Sequence, residues 1–270
     1  MKAKLVLLLL CTVLVFSCTT SRQTEQADQA EQAQQAAEKK WEKTIFEWPG
    51  KIDYNAPEKY LHPGEISYLS EETKKALDEY ILSDNAALTD MELVLHIYRY
   101  MGDPDNFSHY AAGGELIAKR TTEEIFEDKT LSGCHDWGLV LSTVLRSYGI
   151  PAIFCDTALV SWAKNFIKEE NNGFAGHIFV EAFIDDRWVL LNSTNPEIIH
   201  DYDPMNPLLG FERDGSYHYV MFKGTDPWDY GVYGNEDMIN SMKNGASHIV
   251  QKLTAYEPNG SPERIDTFLQ

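Results

Sequence analysis

Cys134, His177 and Asn192 follow one another in the order of a nucleophile, its base and the base's orienter. A thiol attacks acyl carbons readily once a base takes its proton, and imidazole is the side chain suited to take it near neutral pH. An amide or carboxylate behind the imidazole holds one tautomer and one ring plane. Together the three could carry an acyl group as a thioester. The cysteine lies in Ser132-Gly133-Cys134-His135-Asp136-Trp137, directly ahead of an apolar helical pattern that stops at Gly149-Ile150-Pro151. At a helix start its sulfur would meet unpaired N–H groups and the positive end of the helix dipole, which favour thiolate. Its own N–H would be placed to donate to an oxyanion.

The elements that must position these residues are readable. Leu139, Val140, Thr143, Val144 and Tyr148 form one helical stripe; Gly149 suits the C-cap and Pro151 the stop. Residues 175–184 and 187–192 read as strands joined by Asp185-Asp186. With those aspartates as the two turn residues, Ile184 pairs with Arg187, Phe179 with Asn192 and His177 with Thr194. Paired residues share a face, so His177, Phe179 and Asn192 emerge together. Asn192 is then diagonal to His177, roughly 7–8 Å between backbones and within reach of an amide-to-imidazole hydrogen bond. A three-residue turn would break this arrangement.

Elsewhere, 41–69 reads as an irregular aromatic wrap, 70–82 as a helix capped by Ser70, and Thr89 to Gly102 as a helix opened by a Thr89/Glu92 capping box. Residues 103–120 form a connector, and a short acidic helix runs from Thr121 or Thr122 to about Lys129. Pro151 to Thr157 is β-rich, and the polar stretch 158–173 reads as an inserted loop. A strand follows at 217–222 and a last helix at about 236–253. Cys155 reads as a buried core residue, Trp137 and Trp188 as core, and His135 as a solvated first-turn residue. The histidines show no ligand spacing, so neither a metal nor a cofactor is expected.

The ends and the composition bear on location and partners. Lys2 and Lys4 precede an apolar run, Leu5 to Phe16, of signal-peptide length. Val15-Phe16-Ser17-Cys18 resembles a bacterial lipobox, which implies a signal peptide at 1–17, cleavage before Cys18 and a lipid on that cysteine. Thr19 after it points to the outer membrane, if the host has one. Residues 18–40 then form a lipidated cysteine and a disordered tether, rich in Gln, Ala and Glu. The remaining 41–270 suits one domain. A formal charge of −19 argues against nucleic acid as a partner, and the membrane contact would come from the lipid anchor. Of four cysteines only Cys134 and Cys155 remain in the mature domain, which argues against a disulfide framework.

Three blocks in order are similar to the core of the transglutaminase-like superfamily: Ser132–Asp136, then Leu145-Arg146-Ser147-Tyr148-Gly149-Ile150-Pro151-Ala152, then Gly176–Ala182 with Trp188–Thr194. The similarity spans roughly 90–195. It implies an α+β, papain/transglutaminase-like core, with the nucleophile helix packed on an antiparallel sheet. It implies Cys134 as nucleophile, His177 as base and Asp136 in a supporting role at the helix start. The third position departs from the family's usual aspartate: here it is Asn192, which leaves an imidazolium without a charged partner. An upstream oxyanion side chain is also implied, with Asn106, His109 and Tyr110 as candidates. Two functional classes follow. One is a cell-envelope thiol enzyme acting on protein, peptide or peptidoglycan-type amides, as a peptidase, amidase or amine-transfer enzyme. The other is a catalytically inactive binding or scaffold module of the same fold.

Overall fold

A computed structural model describes residues 52–82, 87–110, 114–170 and 173–266. The signal peptide expected at 1–17, the lipidated Cys18 and the tether to residue 40 lie outside the described residues. Among the described residues no helix is long and apolar enough to cross a membrane.

Local capping chemistry sets the helix starts. In α1 (Glu71–Ile81) the Ser70 side chain accepts from the Thr73 N–H. Thr89 with Glu92 and Thr121 with Glu124 form reciprocal capping boxes at α2 (Asp90–Gly102) and α3 (Thr122–Asp128). The connector before α3 contributes β1 (Ser108–His109), which pairs in parallel with β2 (Thr130–Leu131) just ahead of the cysteine. Next comes α4 (Cys134–Ser147), ended by Gly149 in a left-handed conformation at φ +86°.

The body of the protein is an antiparallel sheet of seven strands in the order β7-β8-β3-β4-β5-β6-β9. These are β3 (Ala152–Leu159), β4 (Gly176–Ile184), β5 (Arg187–Asn192), β6 (Glu197–Ile199), β7 (Leu208–Arg213), β8 (Ser216–Gly224) and β9 (Glu263–Arg264). Asp185 and Asp186 both take positive φ, 50° and 61°, as a two-residue hairpin turn of matching twist requires. The ladder they close pairs Ile184 with Arg187 and Phe179 with Asn192, in agreement with the sequence arithmetic.

Alternation divides the hairpin between two cores. Ile178, Val180, Ala182, Val189 and Leu191 pack under α4, against Leu141, Val144 and Leu145. The helix lies so close that a methyl on Gly138 would sit 2.3 Å from Ile178 Cγ2. On the opposite face Phe179, Trp188 and Leu190 meet Ile153 and Cys155. The 52–61 segment straps this face: Tyr54 and Tyr60 stand edge-on to Trp188, whose indole N–H donates to the Tyr54 carbonyl. Beneath the strap Lys223 and Glu181 form a fully buried ion pair at 2.5 Å, shared with the hydroxyls of Tyr54 and Tyr202.

Two expectations fail. Residues 158–167 are not a loop: β3 runs on to Leu159 and α5 (Val160–Ile167) follows. Val160, Trp162 and Ala163 are buried while Lys164 and Lys168 are exposed, so the polar composition is that of the outer face of an amphipathic helix. That helix packs on α6 (Asn235–Lys252). The region after Pro196 also holds more strand than the single 217–222 run. Asp214-Gly215, both at positive φ, joins β7 to β8 in a second tight hairpin.

Gly138→Ala should lower the denaturant midpoint. Helix propensity would gain about 0.5–1 kcal/mol, but overpacking against the β-branched Ile178 costs about 1–3 kcal/mol. An unchanged midpoint would show that α4 can move off the sheet freely. Lys223→Met should cost about 3–5 kcal/mol by leaving the Glu181 charge buried without a counter-charge, read in the same unfolding curve.

Candidate functional site

Cys134 is the first residue of α4, half-buried in a cleft of about 360 Å³. His177, Asp156, Arg213 and the apolar side chains of Ile117 and Phe174 also line it. Three backbone N–H groups, of Ile178, Cys134 and His135, favour the thiolate. Burial opposes them more strongly, the Asp156 carboxylate adds to it, and the thiol is pushed up to about 11. The expected helix-start activation is therefore outweighed in the resting site, because the cleft that presents the sulfur also strips it of water. At neutral pH the group is a thiol, so attack requires proton removal in the same step.

His177 lines the same cleft. Its Nε2 lies 2.8 Å from Asn192 Oδ1. The amide's sense is set independently: Asn192 Nδ2 donates to Glu197 Oε2 at 2.7 Å, and the Thr194 N–H donates to Asn192 Oδ1 at 3.2 Å. An amide oxygen only accepts, so His177 Nε2 carries the hydrogen and Nδ1 keeps the lone pair. Burial holds the imidazole below its ordinary pKa and the Asn192 hydrogen bond only partly offsets this, so the ring is neutral at pH 7. The Asn192 backbone is itself tied down, its carbonyl accepting from the Tyr98 hydroxyl. Ser193 Oγ contacts the Cys134 carbonyl at 3.5 Å, joining the end of β5 to the start of α4.

Asp136 sits beside the helix start, outside the cleft lining. Its Oδ2 accepts from the Ser132 N–H at 2.8 Å and hydroxyl at 2.5 Å and pairs with Arg120, so its contacts hold the turn that enters α4. None of the three oxyanion candidates lines the cleft. Asn106 donates to the Tyr100 carbonyl, His109 is bonded to the Met101 carbonyl and packs on Trp137, and Tyr110 is exposed. The hydrogen-bond donors around the sulfur are the backbone N–H groups of Ile178, Cys134 and His135. Cys155 is a free thiol buried on the other face of the sheet.

His135 is not solvated. Its ring is buried beside Phe154, and Nε2 faces Asp156 Oδ2 at 3.4 Å with neither atom hydrogen-bonded. Because α4 lies against the sheet, its first turn points inward as well as outward. Alternation brings Phe154 and Asp156 to that same face of β3. Sequence reasoning missed Asp156, although a carboxylate inside the apolar run Ile153-Phe154-Cys155 was a signal. It also missed His218, whose ring centroid is 5.8 Å from that of His177 and whose pKa burial pulls down to about 3. A larger hollow of about 820 Å³ near Tyr80 and Phe126 is lined by neither cysteine nor histidine. Among the described residues no cluster of three His, Cys, Asp or Glu could hold a metal ion.

No protein-family model and no curated protein matches the chain. A solved protein from Cytophaga hutchinsonii, described as a candidate cysteine protease, superposes with a TM-score of 0.44 at 16% identity. The match covers 68% of this chain and 53% of the other, so the chain spans about half that protein's length.

Asp156→Asn should move the pH profile of Cys134 alkylation by iodoacetamide to lower pH, because the aspartate's charge opposes the thiolate. Labelling at pH 8 should become faster. A profile unmoved or shifted upward would show that this carboxylate's field does not reach the sulfur.

Proposed function

We propose that this chain is a transglutaminase-like thiol enzyme that forms a thioester at Cys134 from a carboxamide or peptide bond. The observation that carries the reading is the commitment of His177 Nε2–H to Asn192, on a ring that also lines the cleft holding Cys134. It leaves Nδ1 as the basic nitrogen of a neutral ring that shares a cleft with a protonated thiol. As Sγ bonds to the acyl carbon, the thiol proton passes to His177 and the carbonyl electrons move to oxygen, facing backbone N–H donors. Collapse breaks the C–N bond, and His177 returns the proton to the leaving ammonia or amine. Water or a primary amine then attacks the thioester, gives its proton to His177, and releases acid or a new amide while the thiol is restored. Cys134, His177 and Asn192 are the catalytic set in this reading, with Asp136 supporting the entry to the helix.

The substrates we favour are protein, peptide or peptidoglycan-type amides, cleaved rather than cross-linked. The N-terminal residues support a place in a bacterial cell envelope, anchored by a lipid on Cys18 and at the outer membrane where the host has one. Intact mass of the chain from its membrane fraction should carry the lipid on Cys18 and shift with globomycin; an unmodified Cys18 would remove the anchor.

One observation favours the second reading, a non-catalytic module: the thiol is raised rather than lowered. The enzyme reading requires acylation. With p-nitrophenyl acetate the chain should release a stoichiometric burst of p-nitrophenol and carry an acetyl group on Cys134 in acid-quenched mass spectra. Cys134→Ala should abolish both, and His177→Ala should slow acylation by about 10²-fold or more. No adduct on the wild-type chain would favour the module.

A further inference from the structure

Resting on that acyl-transfer reading, we infer that Glu197 is a positioning residue. Through the Asn192 amide it fixes the His177 tautomer and supplies the negative charge that the imidazolium formed during attack requires. The Asn192–Glu197 pair then stands in for the single aspartate expected at position 192.

The amide is the reason a second residue is needed. A side-chain amide can turn over by 180° with almost no change of shape, and its two ends have opposite hydrogen-bonding character. With Nδ2 toward His177, only an imidazole protonated on Nδ1 could pair with it, and the lone pair would face away from the nucleophile's side. A carboxylate only accepts, so Glu197 Oε2 at 2.7 Å holds Nδ2 on its own side and turns Oδ1 to His177 Nε2 at 2.8 Å. Glu197 is well held for this role: it opens β6, pairs with Arg264 of β9, and its N–H donates to the Asn195 carbonyl at 2.7 Å. It also lines a second cavity of about 360 Å³, which reaches His177 from the side of Asn192 and Phe211.

The charges around the imidazole make the assignment directional. His177 faces Cys134 from α4, Asp156 from β3, Asn192 from β5, Glu197 from β6, Arg213 from β7 and the neutral His218 from β8. Arg213 disfavours the imidazolium, whereas Glu197 and Asp156 favour it. Asp156 also raises the thiol and so opposes the attack it would otherwise assist. Glu197 itself faces the Tyr98 hydroxyl from α2 and Arg264 from β9. An aspartate at position 192 would set two carboxylates against each other with no proton between them, so with glutamate at 197 the amide is the compatible partner.

Four variants test this: Glu197→Gln, Glu197→Ala, Asn192→Asp and the double Asn192→Asp/Glu197→Gln. They are read by NMR titration of the His177 imidazole and by the pH profile of acylation with p-nitrophenyl acetate. Glu197→Gln keeps an acceptor for Nδ2 but removes the charge. It should lower the His177 pKa and slow acylation, by less than the roughly 10²–10⁴-fold that a general base contributes. Glu197→Ala should do both and also mix the imidazole tautomers. Asn192→Asp should be slow at pH 7 and recover on acidification, when the two carboxylates share a proton. The double variant should regain activity relative to Asn192→Asp and raise the His177 pKa above wild type, because an amide at position 197 can donate to a carboxylate at position 192. A merely structural glutamate predicts a double variant no better than either single one, and that result would overturn the inference. So would a His177 titration unmoved by Glu197→Gln. The titration needs no turnover: absence of an acyl adduct on the wild-type chain would end the enzyme reading, while the charge coupling of Glu197 to His177 would still be measured on its own.

Discussion

The register of the β4–β5 hairpin is the constraint on which the rest depends. Two aspartates at positive φ close a two-residue turn, and that turn decides which side chains of both strands share a face. A slip of one residue would exchange the faces. His177 and Asn192 would then lie on opposite faces, and the apolar set of one of the two strands would leave the core beneath α4. The core and the site are therefore specified by the same register. The large apolar area buried under α4 protects the alignment of two polar side chains that could not hold it themselves.

Close packing of α4 transmits this alignment to Cys134. Gly138 lets the helix approach β4, and the approach brings Cys134 to the N–H of Ile178, the residue next to the histidine. The same closeness dries the sulfur. Burial outweighs three N–H groups, so the thiol rests protonated in the same cleft as a neutral imidazole. In the enzyme reading such a site would develop charge only as it reacts. In that reading a carboxylate one amide away would suit that state: it would meet the imidazolium as it forms and costs little desolvation beforehand, because Glu197 stays half-buried in the strand next to the sheet's edge.

Much of the fold was legible because its signals are local. Ser70, the Thr89/Glu92 box, the Gly149-Ile150-Pro151 stop and the Asp185-Asp186 turn each act within a few residues, where spacing and chemistry agree. The α5 helix was missed because averaged polarity hid a buried stripe of Val160, Trp162 and Ala163, whose partner helix lies some seventy residues further along the chain. β6 and β9 were missed because strands of two and three residues carry no periodicity; they exist through pairing with their neighbours. His135 was misplaced for a related reason. A first-turn residue is exposed on an isolated helix, and here the sheet covers it.

By itself the sequence determined the local elements, the turn that sets the hairpin register, and the order in which a thiol, an imidazole and an amide enter the fold. These are properties of neighbouring residues and of the period of a strand or helix. Only the tertiary structure decided the burial that raises the Cys134 thiol, the Asp156 carboxylate beside it, and the Glu197 carboxylate behind Asn192. Each depends on which distant segments share a cleft and how much water they exclude. Electric fields and hydrogen-bond senses follow those distances in space, not the spacing along the chain.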